Sequence, residues 1–280
     1  MTANENADHA LCGEYSLLKT VPHVLRARGF RLYIENGIRL NDLWLNGGAA
    51  ILGHTPANIL RELKNTASRG LYTPLPHFTE GRFLKALSKL FPGRSFRLYA
   101  APPEELVSLF KTGKAALWRP FTDPASPFAV EKNAPPFLVP VLPGIQLWRD
   151  ELPLGLCAIA AESENQLAQL PEGDLLSPIL LAVSARGTHD ILAAQDRAKL
   201  NFPHVAKVLH NNKTWRRQGV YLYPKEKREY ETWPVLFKKF LEAGFLLPPT
   251  PSQPLILPGE LSAGEEAKLA AALSGTVSLF

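Results

Sequence analysis

Arg97-Leu98-Tyr99-Ala100-Ala101-Pro102-Pro103-Glu104-Glu105 is the stretch on which the fold turns. Residues 96–99 form a short, largely apolar run that reads as a strand. Residues 104–111 place Leu106, Val107 and Phe110 on one face of a helix. A strand that passes directly into a helix is the building unit of an α/β fold. Such a junction is also a place where anions bind, because the first N–H groups of a helix have no partner within it. Here the chemistry is wrong for a dianion. Pro102 and Pro103 carry no N–H, and Glu104 and Glu105 bring negative charge to the first turn, where the helix dipole favours it.

Working outward, the same alternation continues. Residues 115–118 read as a strand, 120–136 as a proline-rich loop, and 137–142 and 156–161 as buried strands. Residues 175–194 have helical apolar spacing, with Gly187 as a candidate break. A helix is expected over 204–211, a strand over 219–223, and a helix over 233–243 closed by Gly244. Short strands follow at 245–247 and 255–257. Ser262 with Glu265 forms a capping box for a last helix ending near Leu273. Toward the N-terminus, residues 31–40 alternate around Asn36-Gly37, which predicts a hairpin with a type I′ turn. Asn46-Gly47-Gly48 opens a small-residue loop that runs to His54. Thr55 and Pro56 read as N-cap and first residue of a helix, and another helix near Thr79 turns Phe83, Leu84, Leu87 and Leu90 inward. Strands alternating with helices predict an α/β fold with a mixed sheet.

The 280 residues, 46% of them hydrophobic, suffice for one large domain or two modest ones. No apolar run approaches a membrane span, and residues 1–14 are too polar for a signal or transit peptide. Cys12 and Cys157 read as two free thiols in a reducing cytosol, and no Cys/His cluster has metal-ligand spacing. The net charge of +5 is concentrated between residues 213 and 228, in Lys213, Arg216, Arg217, Lys225, Lys227 and Arg228. The strand-like Val220-Tyr221-Leu222-Tyr223 interrupts it, so these cations read as solvated strand ends rather than a nucleic-acid surface. There is no P-loop, no dinucleotide fingerprint and no G-x-S-x-G; Ser184 and the adjacent His189-Asp190 read as surface groups.

The order of these pieces resembles the class III aminotransferases that depend on pyridoxal phosphate (PLP), of the glutamate-1-semialdehyde aminomutase type. The resemblance rests on the hairpin and the Leu52-Gly53-His54 ending of the loop after it. It rests also on Phe237 through Pro248-Pro249 and on the closing helix from Ser262, and it covers about residues 20–112 and 215–273. It implies a truncated fold type I transferase. The small domain would come from residues 1–95 and 170–280, and a reduced remnant of the large domain from 96–169. It also implies a cytoplasmic protein, a homodimer or a subunit of a heteromer, and a loop at Asn46, Gly47, Gly48 and His54 that lines a ligand pocket.

The family's chemistry needs a Schiff-base lysine, an aspartate on the pyridine nitrogen and a phosphate loop. By the same resemblance, Ala101, Pro102 and Pro103 stand in the phosphate loop. Gln146 stands at or near the lysine, and the aspartate segment is missing. Lys111, Lys114, Lys132, Lys199 and Lys213 read as surface lysines. The expectation is a degenerate aminotransferase with no cofactor and no catalysis. The alternative is a small enzyme or ligand-binding protein using a remodelled cleft.

Overall fold

The computed structural model describes residues 16–144, 147–149, 152–211, 214–226 and 231–275. The chain divides into two compact units. One joins Met1–Gly47 with Arg197–Phe280, and the other is Gly48–Asp196. Among the described residues, no helix is long and apolar enough to cross a membrane.

The first unit is made by both ends of the chain. Strands β1 (Val24–Arg28), β2 (Arg31–Ile34) and β3 (Arg39–Asp42) form an antiparallel meander. Asn36 and Gly37 take φ of 60° and 71°, as an Asn-Gly turn requires. Glu35 turns with them, so the connection is one 3-10 turn, Glu35–Gly37, rather than the expected two-residue type I′ loop. Strand β12 (Phe245–Leu246) lies parallel to β3, pairing Phe245 with Asn41. A second sheet holds β10 (Trp215–Gln218), β11 (Tyr221–Pro224) and β13 (Leu255–Ile256). The Leu43 backbone links the two: its N–H donates to Leu246 O at 2.9 Å, and its carbonyl accepts from Ile256 N–H at 2.7 Å.

Trp215, Trp233, Phe237, Phe240, Phe245 and Leu269 fill the core of this unit. Each such side chain withdrawn from water contributes about 1.5–3 kcal/mol. Two later helices supply much of it, Trp233–Glu242 and Ala263–Ser274, the latter with the expected capping box.

The second unit has a four-stranded sheet in the order β4 (Ser95–Tyr99), β9 (Cys157–Ala161), β6 (Phe137–Pro140) and β5 (Ala115–Trp118). β9 runs antiparallel to both its neighbours while β5 and β6 are parallel, so the sheet is mixed, as expected. A small hairpin, β7 (Leu147–Arg149) with β8 (Leu152–Leu154), precedes β9. In chain order the helices of this unit are α1 (Ala57–Ala67), α2 (Thr79–Leu90), α3 (Glu104–Lys111), α4 (Glu164–Leu167) and α5 (Pro178–Ala193). The two helices of the first unit are then α7 (Trp233–Glu242) and α8 (Ala263–Ser274), after α6 (Pro203–Asn211).

Three expectations differ from what is found here. α1 begins at Ala57, with Pro56 extended (ψ 124°) in the cap position and no side-chain cap, so Thr55 lies outside the helix. Gly187 does not break α5. It is buried within the helix, where a Cβ would stand 2.5 Å from the Pro143 carbonyl oxygen. The absent side chain admits a neighbouring backbone. Finally, α1 and α2 both pack on α5, so this unit runs from 48 to 196 instead of the expected 96–169.

Candidate functional site

The junction of β4 and α3 is the first candidate, because the sequence resemblance puts a phosphate loop there. β4 is an edge strand of its sheet. Beyond Tyr99, Ala100 and Ala101 are exposed, and Pro102 and Pro103 are half-buried. Pro103 is the N-cap of α3, extended at φ −69° and ψ 157°, and it makes no side-chain cap bond. Proline at these two positions removes two backbone donors.

A donor that remains, the Ala100 N–H, is already engaged. It donates to Oδ2 of Asp174 at 2.8 Å. The segment carrying Asp174 is fastened to β4 at several points. Asp174 N–H donates to Leu98 O at 2.9 Å. Tyr99 Oη donates to Pro171 O at 2.7 Å. The Nη1 of Arg97 reaches the carbonyls of Leu167, Leu170 and Pro171 at 2.7, 2.8 and 2.9 Å. Burial pushes the Tyr99 hydroxyl above its ordinary pKa of 10.0, which keeps it a donor. Asp174 lies seventy-four positions from Ala100. No local pattern pointed to it; only the turn-forming Pro171-Glu172-Gly173-Asp174 marks the segment as a bend.

The second candidate is the loop at Asn46, Gly47 and Gly48. Asn46–Gly48 is a single turn, and Leu45, Asn46, Gly47 and Gly48 take φ of 49°, 49°, 65° and 105°. Consecutive left-handed residues, two of them not glycine, are costly and persist only where their surroundings hold them. Asp42 supplies part of that hold. It is buried, and its Oδ1 accepts the N–H of Trp44 and of Leu45, both at 2.8 Å. Trp44 Nε1 in turn donates to Gln253 Oε1 at 2.8 Å. Asn46 is half-buried and Gly47 and Gly48 are buried; His54, further along, is half-buried.

The remaining candidates separate. Gln146, Lys213, Lys227 and Arg228 lie outside the described residues. Every described lysine is exposed except Lys239, which is half-buried and donates to Gly275 O at 2.7 Å. Ser184 and Asp190 are not the surface groups expected. Ser184 is buried inside α5, and Asp190 is paired with Arg186 and with Asn58. Arg216 and Arg217 are adjacent on β10 and point to opposite faces. Arg217 is spent on Gly219 O and Leu200 O, and Arg216 stacks over Tyr223 with its Cζ 4.8 Å from the ring centre. Among the described residues, no group of three metal-ligating side chains comes together.

Comparison with known proteins places the fold. No family model matches the chain. An uncharacterized protein of Treponema pallidum is 28% identical over 294 residues, covering 86% of this chain and 91% of the relative. An uncharacterized protein of Borreliella burgdorferi is 26% identical over 253 residues, covering 89% of each. Among solved structures, ornithine δ-aminotransferase of Plasmodium falciparum superposes with a TM-score of 0.64 at 12% identity, over 92% of this chain and 93% of that one. An ω-transaminase of Sphaerobacter thermophilus gives 0.63 at 11%, over 92% and 91%. Acetylornithine aminotransferase of Elizabethkingia anophelis gives 0.60 at 14%, over 92% and 94%. The chain therefore has a mixed α/β aminotransferase-like fold, structurally similar to class III enzymes at low sequence identity.

That fold implies PLP, and the junction tests whether the residues present suit it. A phosphate dianion needs converging N–H groups and no competing anion. Two of these positions are proline, and Ala100 N–H is held by a carboxylate. A Schiff-base lysine needs an environment that disfavours its charge. No described lysine is buried. The described residues do not fit the cofactor.

Proposed function

We propose that this chain is an aminotransferase-like protein without PLP chemistry, similar to the glutamate-1-semialdehyde aminomutase type, that acts as a homodimer or as a partner subunit. The observation that supports the reading is the chemistry of the β4–α3 junction: where the resemblance puts a phosphate loop, the chain has Pro102, Pro103 and an Asp174 carboxylate on the Ala100 N–H. The exposed lysines support it. The assembly is supported by an apolar surface on the second unit. Tyr72, Leu75 and Phe78 are 59%, 54% and 62% exposed in the single chain, and Leu60 on α1 is 40% exposed. Large exposed apolar groups gathered in one short segment mark an interaction surface.

The test is a near-ultraviolet and visible spectrum of the protein with PLP, before and after borohydride. The expected result is no Schiff-base band and no lysine-linked adduct. A band that is fixed by borohydride onto one lysine overturns the reading.

One observation favours a second reading, a small enzyme or ligand-binding protein. The left-handed run Leu45–Gly48, held by Asp42, is the kind of strained segment that collects at binding sites. Asn46 and Gly47, at the end of the first unit's segment, would then contribute to the ligand site. Asn46→Ala that leaves folding intact and abolishes binding of a ligand found by screening supports this reading; no ligand, or unchanged binding, removes it.

A further inference from the structure

The junction is more than deprived of donors; it is filled from within. We propose that Asp174 is a resident anion, a carboxylate that occupies the anion position at the end of β4 and closes the junction to any external phosphate or carboxylate. The inference rests on the correspondence, proposed above, between this junction and a cofactor-phosphate loop, and it adds the means by which the position is closed.

Three independent features fix the carboxylate there. Its backbone is anchored by Asp174 N–H to Leu98 O at 2.9 Å, so the side chain starts from a set place on the free edge of β4. Gly173 lets the segment lie flat, since a Cβ at that position would stand 3.0 Å from Leu98 O and 3.3 Å from Arg97 Cγ. Arg97 and Tyr99 then clamp the preceding residues through the Leu167, Leu170 and Pro171 carbonyls. With both ends of the approach held, Asp174 Oδ2 meets the Ala100 N–H at 2.8 Å. A carboxylate on a backbone N–H is a charge-assisted bond, stronger than a neutral one. An incoming phosphate would have to displace it and then face Asp174, Glu104 and Glu105 with few N–H groups in return. These carboxylates are exposed, so their repulsion of a phosphate is screened by water but keeps its sign. A mere edge cover would leave the junction open to anions from solution; a resident carboxylate does not.

The test uses amide resonances of the full-length protein, with inorganic phosphate as the probe, in wild type, Asp174→Asn and Asp174→Ala. In wild type the Ala100 and Ala101 amides are expected to stay unshifted by phosphate, and Ala100 to exchange slowly with solvent. Asp174→Asn keeps an acceptor oxygen but no charge, so Ala100 remains protected if the protein folds. Asp174→Ala removes both, and Ala100 exchange rises about tenfold or more, with phosphate-dependent shifts now appearing at Ala100 and Ala101. Wild-type amides at 100 and 101 that shift with phosphate overturn the proposal, and so does an Ala100 exchange rate unchanged in Asp174→Ala. An adduct of PLP on a lysine in a protein whose Ala100 stays closed would instead sink the non-catalytic reading and leave the closed junction standing.

Discussion

Converting Glu265 to glutamine should destabilise the first unit, and the loss should vanish in acid. Glu265 sits in the first turn of α8 and joins the two ends of the chain. Arg31 Nε and Nη2 donate to its two oxygens at 3.1 and 2.9 Å. Asn41 Nδ2 donates at 3.3 Å and the Ser262 N–H at 2.9 Å. The Arg31 guanidinium, with these further donors, lowers the carboxyl from 4.5 to about 2 despite partial burial. Taken whole, that displacement corresponds to about 3.4 kcal/mol. A quarter of the side chain is in water, so screening reduces the expected contribution to about 1–2 kcal/mol.

Glutamine can keep one acceptor oxygen for the capping box but replaces the other by an NH2 that cannot accept, much as protonation would, so the substitution mimics the acid form. The sign follows from the direction of the shift. A carboxyl lowered on folding stabilises fully above its unfolded value and loses that contribution as pH falls from about 4.5 to about 2. The assay is urea denaturation of wild type and Glu265→Gln at matched ionic strength, followed by tryptophan fluorescence. Trp44, Trp215 and Trp233 all lie in this unit and report its unfolding. The stability difference should be complete at neutral pH and nearly absent near pH 2. An equal difference at both, or none at neutral pH, would refute the argument.

Gly187→Ala should cost about 1–3 kcal/mol, because its Cβ would press on the Pro143 carbonyl at 2.5 Å. In an open helix the same change stabilises, so a gain in urea midpoint would remove the close-approach account. Tyr72→Asp with Phe78→Asp should convert a homodimer to monomer in sedimentation while leaving the midpoint within about 0.5 kcal/mol, since both side chains are exposed in the single chain; an unchanged sedimentation coefficient in a dimeric wild type places the interface elsewhere. Cys157, in β9, is fully buried with its thiol pushed up to about 12 by desolvation. In a Cys12→Ser background it should stay inert to a thiol reagent at pH 8 until denaturant is added, and prompt labelling of the native protein would contradict its burial.

Much of the local structure was legible in advance because its causes lie within a few residues. Positive φ at Asn36 and Gly37 follows from the dipeptide itself, and the Ser262–Glu265 box from a four-residue pattern. α3 occupies residues 104–111 as read, since Pro103 can precede a helix but not sit within it. Gly187 was misread for the complementary reason. Its role is set by Pro143, forty-four positions away, and a lone glycine looks the same whether it ends a helix or admits a neighbour. At the candidate site, the missing donors of Pro102 and Pro103 were visible as letters, whereas the Asp174 carboxylate on the Ala100 N–H was not.

What the sequence alone determined is therefore many of the elements (though not β1, β7, β8, β10 or α4), the mixed α/β class and the missing N–H groups of Pro102 and Pro103, because propensity, capping and the absence of an N–H act through adjacent bonds. Tertiary structure alone decided that β12 lies against β3, that Arg31 meets Glu265 across 234 positions, and that Asp174 meets Ala100. Such pairings depend on which surfaces come together when the chain closes. Apolar periodicity says that a face is buried but carries no label for the segment that buries it.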